Sequence, residues 1–140
     1  NAPSIVAFAA ASSETYPSAA VQALRDNFIQ SLNTAIPDAY INGGASERLP
    51  GIVNVTFPGT QSDTLLLLLD NAHVSASTGS ACSAGVHEAS HVLLAMGHNE
   101  TTAQSSLRFS FGAGSTQADV DFVMSVLPGV IATGRAANNI

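Results

Sequence analysis

The chain has 140 residues, enough for one domain with its own hydrophobic core. Charged residues make up only 10% of it, against about 25% in an average soluble protein, and the net charge is −6. This acidic balance argues against nucleic acid and anionic membranes as partners, because both attract basic proteins. Uncharged polar residues (Ser, Thr, Asn and Gln) account for part of this low charge content, and a surface that another domain or subunit covers is the other explanation.

The periodicity of apolar residues predicts five helices. They lie at residues 5–11, from Ser18 through Leu32, at residues 63–71, at residues 88–97 and from Thr116 through Val130. Ser62 is predicted to cap the third helix, and Gly97 to end the fourth.

Two segments alternate apolar and polar residues as half-buried strands do, at residues 52–57 and 107–111. Shorter strands are predicted at residues 40–42 and 73–77. Helices and strands interleave along the chain, so we expect an α/β or α+β fold, with a small sheet of three to four strands covered by helices.

His87, Glu88 and His91 form a His-Glu-x-x-His pattern. On one helix the two histidines would share a face and could bind zinc, with Glu88 as the general base of a metallopeptidase. No third ligand stands at a zinc-protease spacing: His98 is one position too late, and Glu100, Asp119 and Asp121 cannot be placed from the sequence. The zinc peptidase therefore stays open as an alternative function.

Cys82 is the only cysteine of the chain and lies among small residues with glycines at positions 79 and 85. A structural cysteine is usually surrounded by bulky apolar residues, so this setting favours a reactive thiol on a loop. A lone cysteine forms no intrachain disulfide, and we expect a reducing, cytoplasmic environment.

The sequence around Cys82 closely resembles the cysteine loop of NifS/IscS-type cysteine desulfurases, which are pyridoxal-phosphate enzymes of fold type I in the class V aminotransferase family. The matching segments are residues 74–85 (VSASTGSACSAG), 88–93 (EASHVL), 105–112 (SSLRFSFG) and 48–59 (RLPGIVNVTFPG). The resemblance spans essentially the whole chain and is most specific between residues 74 and 112. The chain resembles the C-terminal small domain of these enzymes.

This resemblance implies a homodimeric enzyme that removes sulfur from L-cysteine, leaves L-alanine, and passes the sulfur to an acceptor or iron–sulfur scaffold protein. Cys82 matches the nucleophile that carries the persulfide. Arg108 matches the arginine that binds the substrate carboxylate, and it stands on the polar side of a predicted strand.

The chain contains no lysine, and its four cationic residues are all arginines. Pyridoxal phosphate requires a lysine for its Schiff base, so we expect no cofactor-binding residue in this chain and no cofactor on the chain alone. We therefore expect residues 1–140 to be one domain of a larger enzyme whose cofactor-binding large domain is absent, inactive by itself. A free-standing sulfur carrier or interaction module is the remaining alternative.

Overall fold

The computed structural model describes residues 1–44, 47–78 and 89–138. The elements in chain order are α1 (Ala2–Ser13), α2 (Ser18–Ala35), β1 (Tyr40–Ile41), β2 (Ile52–Thr56), α3 (Ser62–Asn71), α4 (His91–Ala95), α5 (Glu100–Gln104), β3 (Ser106–Ser110) and α6 (Gln117–Asn138).

The described strands form one antiparallel sheet in the order β1-β2-β3. β2 and β3 pair from Ile52 opposite Ser110 to Thr56 opposite Ser106. Both strands are those whose alternation is clear in the sequence. The predicted small sheet with interleaved helices is confirmed.

One face of the sheet carries the hydrophobic core. Val53, Val55, Leu107 and Phe109 point to this face and are buried. Helices α2, α3 and α6 cover them with apolar side chains, including Phe28, Leu32, Leu65, Leu69, Leu127 and Ile131. Burying one such side chain contributes about 1.5–3 kcal/mol, so this layer of helices fixes the sheet in place.

The opposite face of the sheet is polar and positions the site described below. Asn54 of β2 is partly buried there, and Arg108 and Ser110 of β3 are exposed. Next to them Thr56 and Ser106 are buried, with 1% and 3% of their surfaces accessible. The Ser106 hydroxyl donates to the Thr102 carbonyl of α5 at 2.7 Å, so this short helix covers one end of the polar face.

Helix α6 is long and apolar enough to cross a membrane by length and composition. Core helices of globular proteins pass the same test. Here α6 contributes Val120, Leu127, Val130, Ile131 and Gly134 to the buried residues. Thr116 precedes it, and the Thr116 hydroxyl and N–H both donate to the Asp119 carboxylate at 2.8 Å.

Two predictions around α3 are wrong. Ser62 is the first residue of the helix and not its cap, since the capping position belongs to Gln61, whose side chain makes no capping bond. The predicted strand at residues 73–77 is also absent. His73 has a left-handed backbone, with φ of 59°, so the chain turns after α3, and only Ser77 pairs with β3, opposite Arg108.

The helix predicted at residues 88–97 is much shorter in the structure. It begins at His91, after Ser90 in the capping position, and residues 89 and 90 are not helical. Gly97 has φ of 90° and ends this segment as predicted. Helix α5 was not predicted from the sequence. Asn99 caps it by accepting the Thr102 N–H at 2.8 Å.

Candidate functional site

Arg108 lies at the middle of β3 with its side chain on the polar face of the sheet. Its neighbours Leu107 and Phe109 are 0% and 4% exposed, because successive side chains of a strand point to opposite faces. Its N–H donates to the Ser77 carbonyl at 2.7 Å, and its own carbonyl accepts the Ser77 N–H at 3.1 Å. The backbone of Arg108 is therefore fixed by hydrogen bonds, while its guanidinium is directed away from the core.

The guanidinium borders a cavity of about 510 Å³ on the polar face. The residues that line it are Asn42, Arg48, Leu49, Ile52, Val53, Asn54, Ser77, Thr78, Ser90, Val92, Leu93, Met96 and Arg108. Two arginines contribute to this lining, and no aspartate or glutamate stands among the described residues that form it.

The charge of the cavity is opposite to that of the whole chain, whose net charge is −6. Half of the four cationic residues border one cavity, where described acidic groups do not compensate them. A concave surface with one sign of charge attracts ligands of the other sign. The cavity is therefore suited to an anionic group such as a carboxylate.

Arg108 belongs to a row of polar residues that crosses the sheet. Asn54 of β2 lies directly opposite it. The Asn42 N–H, just after β1, donates to the Asn54 carbonyl at 2.9 Å. Ser77 pairs with Arg108 on the other side and accepts from its Nη2 at 3.4 Å. We call Asn42, Asn54, Arg108 and Ser77 the polar row, and all four line the cavity.

Arg48 reaches the cavity from the loop that joins β1 and β2. Its guanidinium donates to the Gly44 carbonyl. The next residue, Leu49, is fixed by helix α2, because the buried Arg25 of that helix donates to the Leu49 carbonyl at 2.8 Å. Arg25 itself is only 6% exposed and pairs with Asp26 at 2.7 Å. Helix α2 therefore fixes the loop that brings the second arginine to the cavity.

Cys82, His87 and Glu88 lie outside the described residues. Thr78 and Ser90, which stand on either side of this segment in the sequence, both line the cavity.

The structure does not support the helical arrangement on which the zinc site depends. Helix α4 begins at His91, and the two described residues before it, 89 and 90, are not helical. Within residues 1–44, 47–78 and 89–138, no three His, Cys, Asp or Glu residues are grouped as metal ligands. Asp119 instead closes the start of α6, where hydrogen bonds from the Thr116 side chain and backbone lower the pKa of its carboxyl.

The sequence predicts Arg108 as a site residue but not the residues that surround it. Asn54 stands on the polar side of an alternating strand, a visible signal, yet alternation does not reveal which residue lies opposite it. Arg48 and Asn42 lie in or beside a loop, where no periodicity marks the side that faces the cavity.

Comparisons with known proteins identify the family. A family model described as aminotransferase class-V matches residues 7–123. An IscS-like cysteine desulfurase of Mycobacterium tuberculosis is 46% identical over 121 residues, which are 86% of this chain and 31% of that protein. A cysteine desulfurase of Gluconacetobacter diazotrophicus is 45% identical and aligns with 82% of this chain and 29% of its own length.

The fold comparison agrees. A NifS-like protein from Rickettsia africae superposes with a TM-score of 0.72 at 25% sequence identity, over 82% of this chain and 29% of that one. The chain thus spans about 30% of the length of the relatives that it matches. The 140 residues belong to the aminotransferase class-V family, in a part of it whose relatives are cysteine desulfurases of the IscS and NifS type.

Proposed function

We propose that this chain is the C-terminal small domain of a cysteine desulfurase, which takes sulfur from L-cysteine as a persulfide on Cys82 and leaves L-alanine. The observation that carries the proposal is Arg108, on a strand at the edge of a cavity lined by two arginines and by no described acidic residue. The names of relatives that are 45–46% identical to the chain support the same activity.

Arg108 is proposed to bind the carboxylate of L-cysteine. A guanidinium offers a planar fork of donors that matches the two oxygens of a carboxylate. Among the described residues only Ser77 accepts a side-chain hydrogen bond from Arg108, so further N–H groups are left for a ligand. The fixed β3 backbone sets the direction from which the carboxylate approaches.

Cys82 is proposed to receive the sulfur. Its thiolate attacks the sulfur of the substrate, so that an S–S bond forms and the substrate C–S bond breaks. The electron pair of the broken bond stays on the substrate carbon, which takes up a proton to give alanine. Cys82 follows Thr78 by four positions.

Pyridoxal phosphate is proposed for the complete enzyme, in which it would accept electrons from the substrate. The residues of this chain do not fit the cofactor by themselves, since none of the 140 is a lysine that could form the Schiff base. The cofactor would be held by the large domain that this chain does not contain.

The homodimer, the sulfur acceptor or iron–sulfur scaffold protein, and the cytoplasmic location stay predictions that rest on the family resemblance. The comparisons do not favour the zinc peptidase or the free-standing sulfur carrier. Metal analysis still tests the first, because stoichiometric zinc that disappears in a His91→Ala variant would overturn the desulfurase proposal.

The proposal is tested in the complete polypeptide that carries these residues, with alanine and protein-bound persulfide measured after addition of L-cysteine. Cys82→Ala is expected to abolish the persulfide while the absorption of the cofactor is unchanged. Arg108→Lys keeps the charge but loses the fork of donors, so we expect KM for L-cysteine to rise at least about tenfold.

Arg135→Lys is the matched control for Arg108→Lys. Arg135 pairs with Asp38 at 2.5 Å and does not line the cavity. Its KM is expected to equal that of the unmodified enzyme. Persulfide formation in Cys82→Ala, or an unchanged KM in Arg108→Lys, would contradict the proposed roles.

A further inference from the structure

A chain of hydrogen bonds fixes the direction in which the Asn54 side chain points. The Ser106 hydroxyl lies 2.7 Å from the Thr102 carbonyl, which only accepts, so the single proton of Ser106 is used there. The Thr56 and Ser106 oxygens lie 2.8 Å apart, and Thr56 must therefore be the donor. The Thr56 oxygen also lies near both ends of the Asn42 amide, 2.9 Å from Nδ2 and 3.2 Å from Oδ1. Because the one proton of Thr56 is directed to Ser106, Thr56 accepts from Nδ2, which is the shorter contact.

The second proton of Asn42 Nδ2 is left for Asn54, whose Oδ1 lies 2.6 Å away. The oxygen of the Asn54 amide is thus directed toward Asn42, and its NH2 group is directed the other way along the polar row. Among the described residues no acceptor bonds this NH2 group, although Asn54 is only partly buried and lines the cavity.

Arg108 is the next residue of the polar row. The N–H and carbonyl of Arg108 face Ser77, and the carbonyl of Asn54 accepts from Asn42, so Asn54 and Arg108 form a pair that exchanges no backbone hydrogen bonds. Such pairs have the closer spacing of an antiparallel sheet, with Cα atoms about 4.5 Å apart and side chains on the same face.

Two donor groups therefore stand side by side at the cavity. A guanidinium has no acceptor atom, and the oxygen of the Asn54 side chain already accepts from Asn42. Among the described residues the two side chains form no hydrogen bond with each other, whereas one anionic oxygen group between them can accept from both. Hydrogen bonds to a charged acceptor are worth more than those between neutral groups.

We propose that Asn54 is a second ligand of the substrate carboxylate, beside Arg108, and that Asn42 and Thr56 are positioning residues that keep its NH2 group directed at the cavity. This inference rests on the proposed function, because it takes the anion in the cavity to be the carboxylate of L-cysteine. It adds a residue that selects substrates with a carboxylate group.

The test uses the complete polypeptide and compares Asn54→Ala with the unmodified protein. We expect KM for L-cysteine to rise about tenfold with kcat nearly unchanged, as the loss of one hydrogen bond to a charged group predicts. Two competitive inhibitors separate the carboxylate from the rest of the substrate. The Ki of 3-mercaptopropionate, which has the carboxylate but no amine, should rise by a similar factor. The Ki of cysteamine, which has the amine but no carboxylate, should change less than about twofold.

Asn27→Ala is the matched control, because Asn27 is exposed and bonds Gln117 away from the cavity. Equal rises of Ki for both inhibitors in Asn54→Ala would overturn the inference, and so would an unchanged KM. Failure of the proposed function looks different, since L-cysteine then yields no alanine with the unmodified protein.

The positioning role is tested by Thr56→Val, which keeps the shape of the side chain but removes the hydroxyl. Without that hydroxyl Asn42 Nδ2 loses its contact at 2.9 Å and keeps only the longer one to the Ser106 hydroxyl at 3.4 Å, so we expect its orientation to loosen and KM for L-cysteine to rise several-fold. Thr56→Ser retains the hydroxyl and should restore the original KM. If Thr56→Val and Thr56→Ser raise KM equally, the hydrogen-bond chain does not orient Asn54, and that part of the inference is wrong.

Discussion

Gly51 directly precedes β2, and a substitution there measures how closely the sheet and α2 pack against each other. An added Cβ would lie 2.3 Å from the carbonyl oxygen of Phe111, 2.9 Å from the Tyr16 hydroxyl and 3.0 Å from Cγ1 of Val21. The first of these atoms belongs to the backbone and cannot rotate away. The N–H of the same residue, Phe111, donates to the Gly51 carbonyl at 2.7 Å. A shift that separates Gly51 from Phe111 therefore also weakens this hydrogen bond.

We expect Gly51→Ala to lower the free energy of unfolding by about 2–4 kcal/mol. Overpacking of a filled site costs about 1–3 kcal/mol, and the weakened hydrogen bond adds about 1 kcal/mol. Gly129→Ala in α6 is the control with the same chemistry, since no atom lies within 4 Å of its added Cβ. In a helix this change is expected to stabilise by about 0.5–1 kcal/mol.

Urea unfolding followed by circular dichroism at the helix band measures both variants. The midpoint should fall for Gly51→Ala and stay equal or rise for Gly129→Ala, with similar slopes. An unchanged midpoint for Gly51→Ala would show that β2 can move away from Phe111, and the close approach described above would then be refuted.

Two further predictions concern the loop and the start of α6. Arg25→Lys should destabilise by about 1–2 kcal/mol in the same assay, because the buried guanidinium spans the Leu49 carbonyl and the Asp26 carboxylate with a fork that the compact ammonium of lysine lacks. Arg135 also donates to two groups, Pro58 and Asp38, but its side chain is more exposed, so Arg135→Lys should cost less than about 1 kcal/mol. Equal effects of the two changes would contradict the importance of burial at Arg25. The Thr116 hydrogen bonds lower the pKa of the Asp119 carboxyl from its usual 3.8. Just below pH 3.8 this carboxyl is therefore still deprotonated in the folded state, while in the unfolded state it binds a proton. The stability that Asp119 contributes is lost as the pH falls through the lowered pKa. Thr116→Ala should raise that pKa toward 3.8, as NMR titration of the carboxyl group would show, and an unshifted pKa would argue against the hydrogen bonds as its cause.

The local pattern of the sequence determined the elements with long or strongly alternating signals. β2, β3 and helices α2, α3 and α6 follow from periodicity, because each must bury one face against the same core. Arg108 could be placed on the polar side of its strand for the same reason. The short elements could not be predicted so well: α4 and α5 have five residues each, and capping and contacts decide their limits.

The resemblance of the motifs, together with the family matches, identified the family without any coordinates. Only the tertiary structure decided which residues accompany Arg108. The register of β2 against β3 puts Asn54 opposite it, and the loop held by Arg25 brings Arg48 to the same cavity. Neither relation is local in the sequence, since Asn54 pairs with a residue more than fifty positions away and Arg25 with one 24 positions away. Sequence alone thus defined the arginine, and strand register defined the site around it.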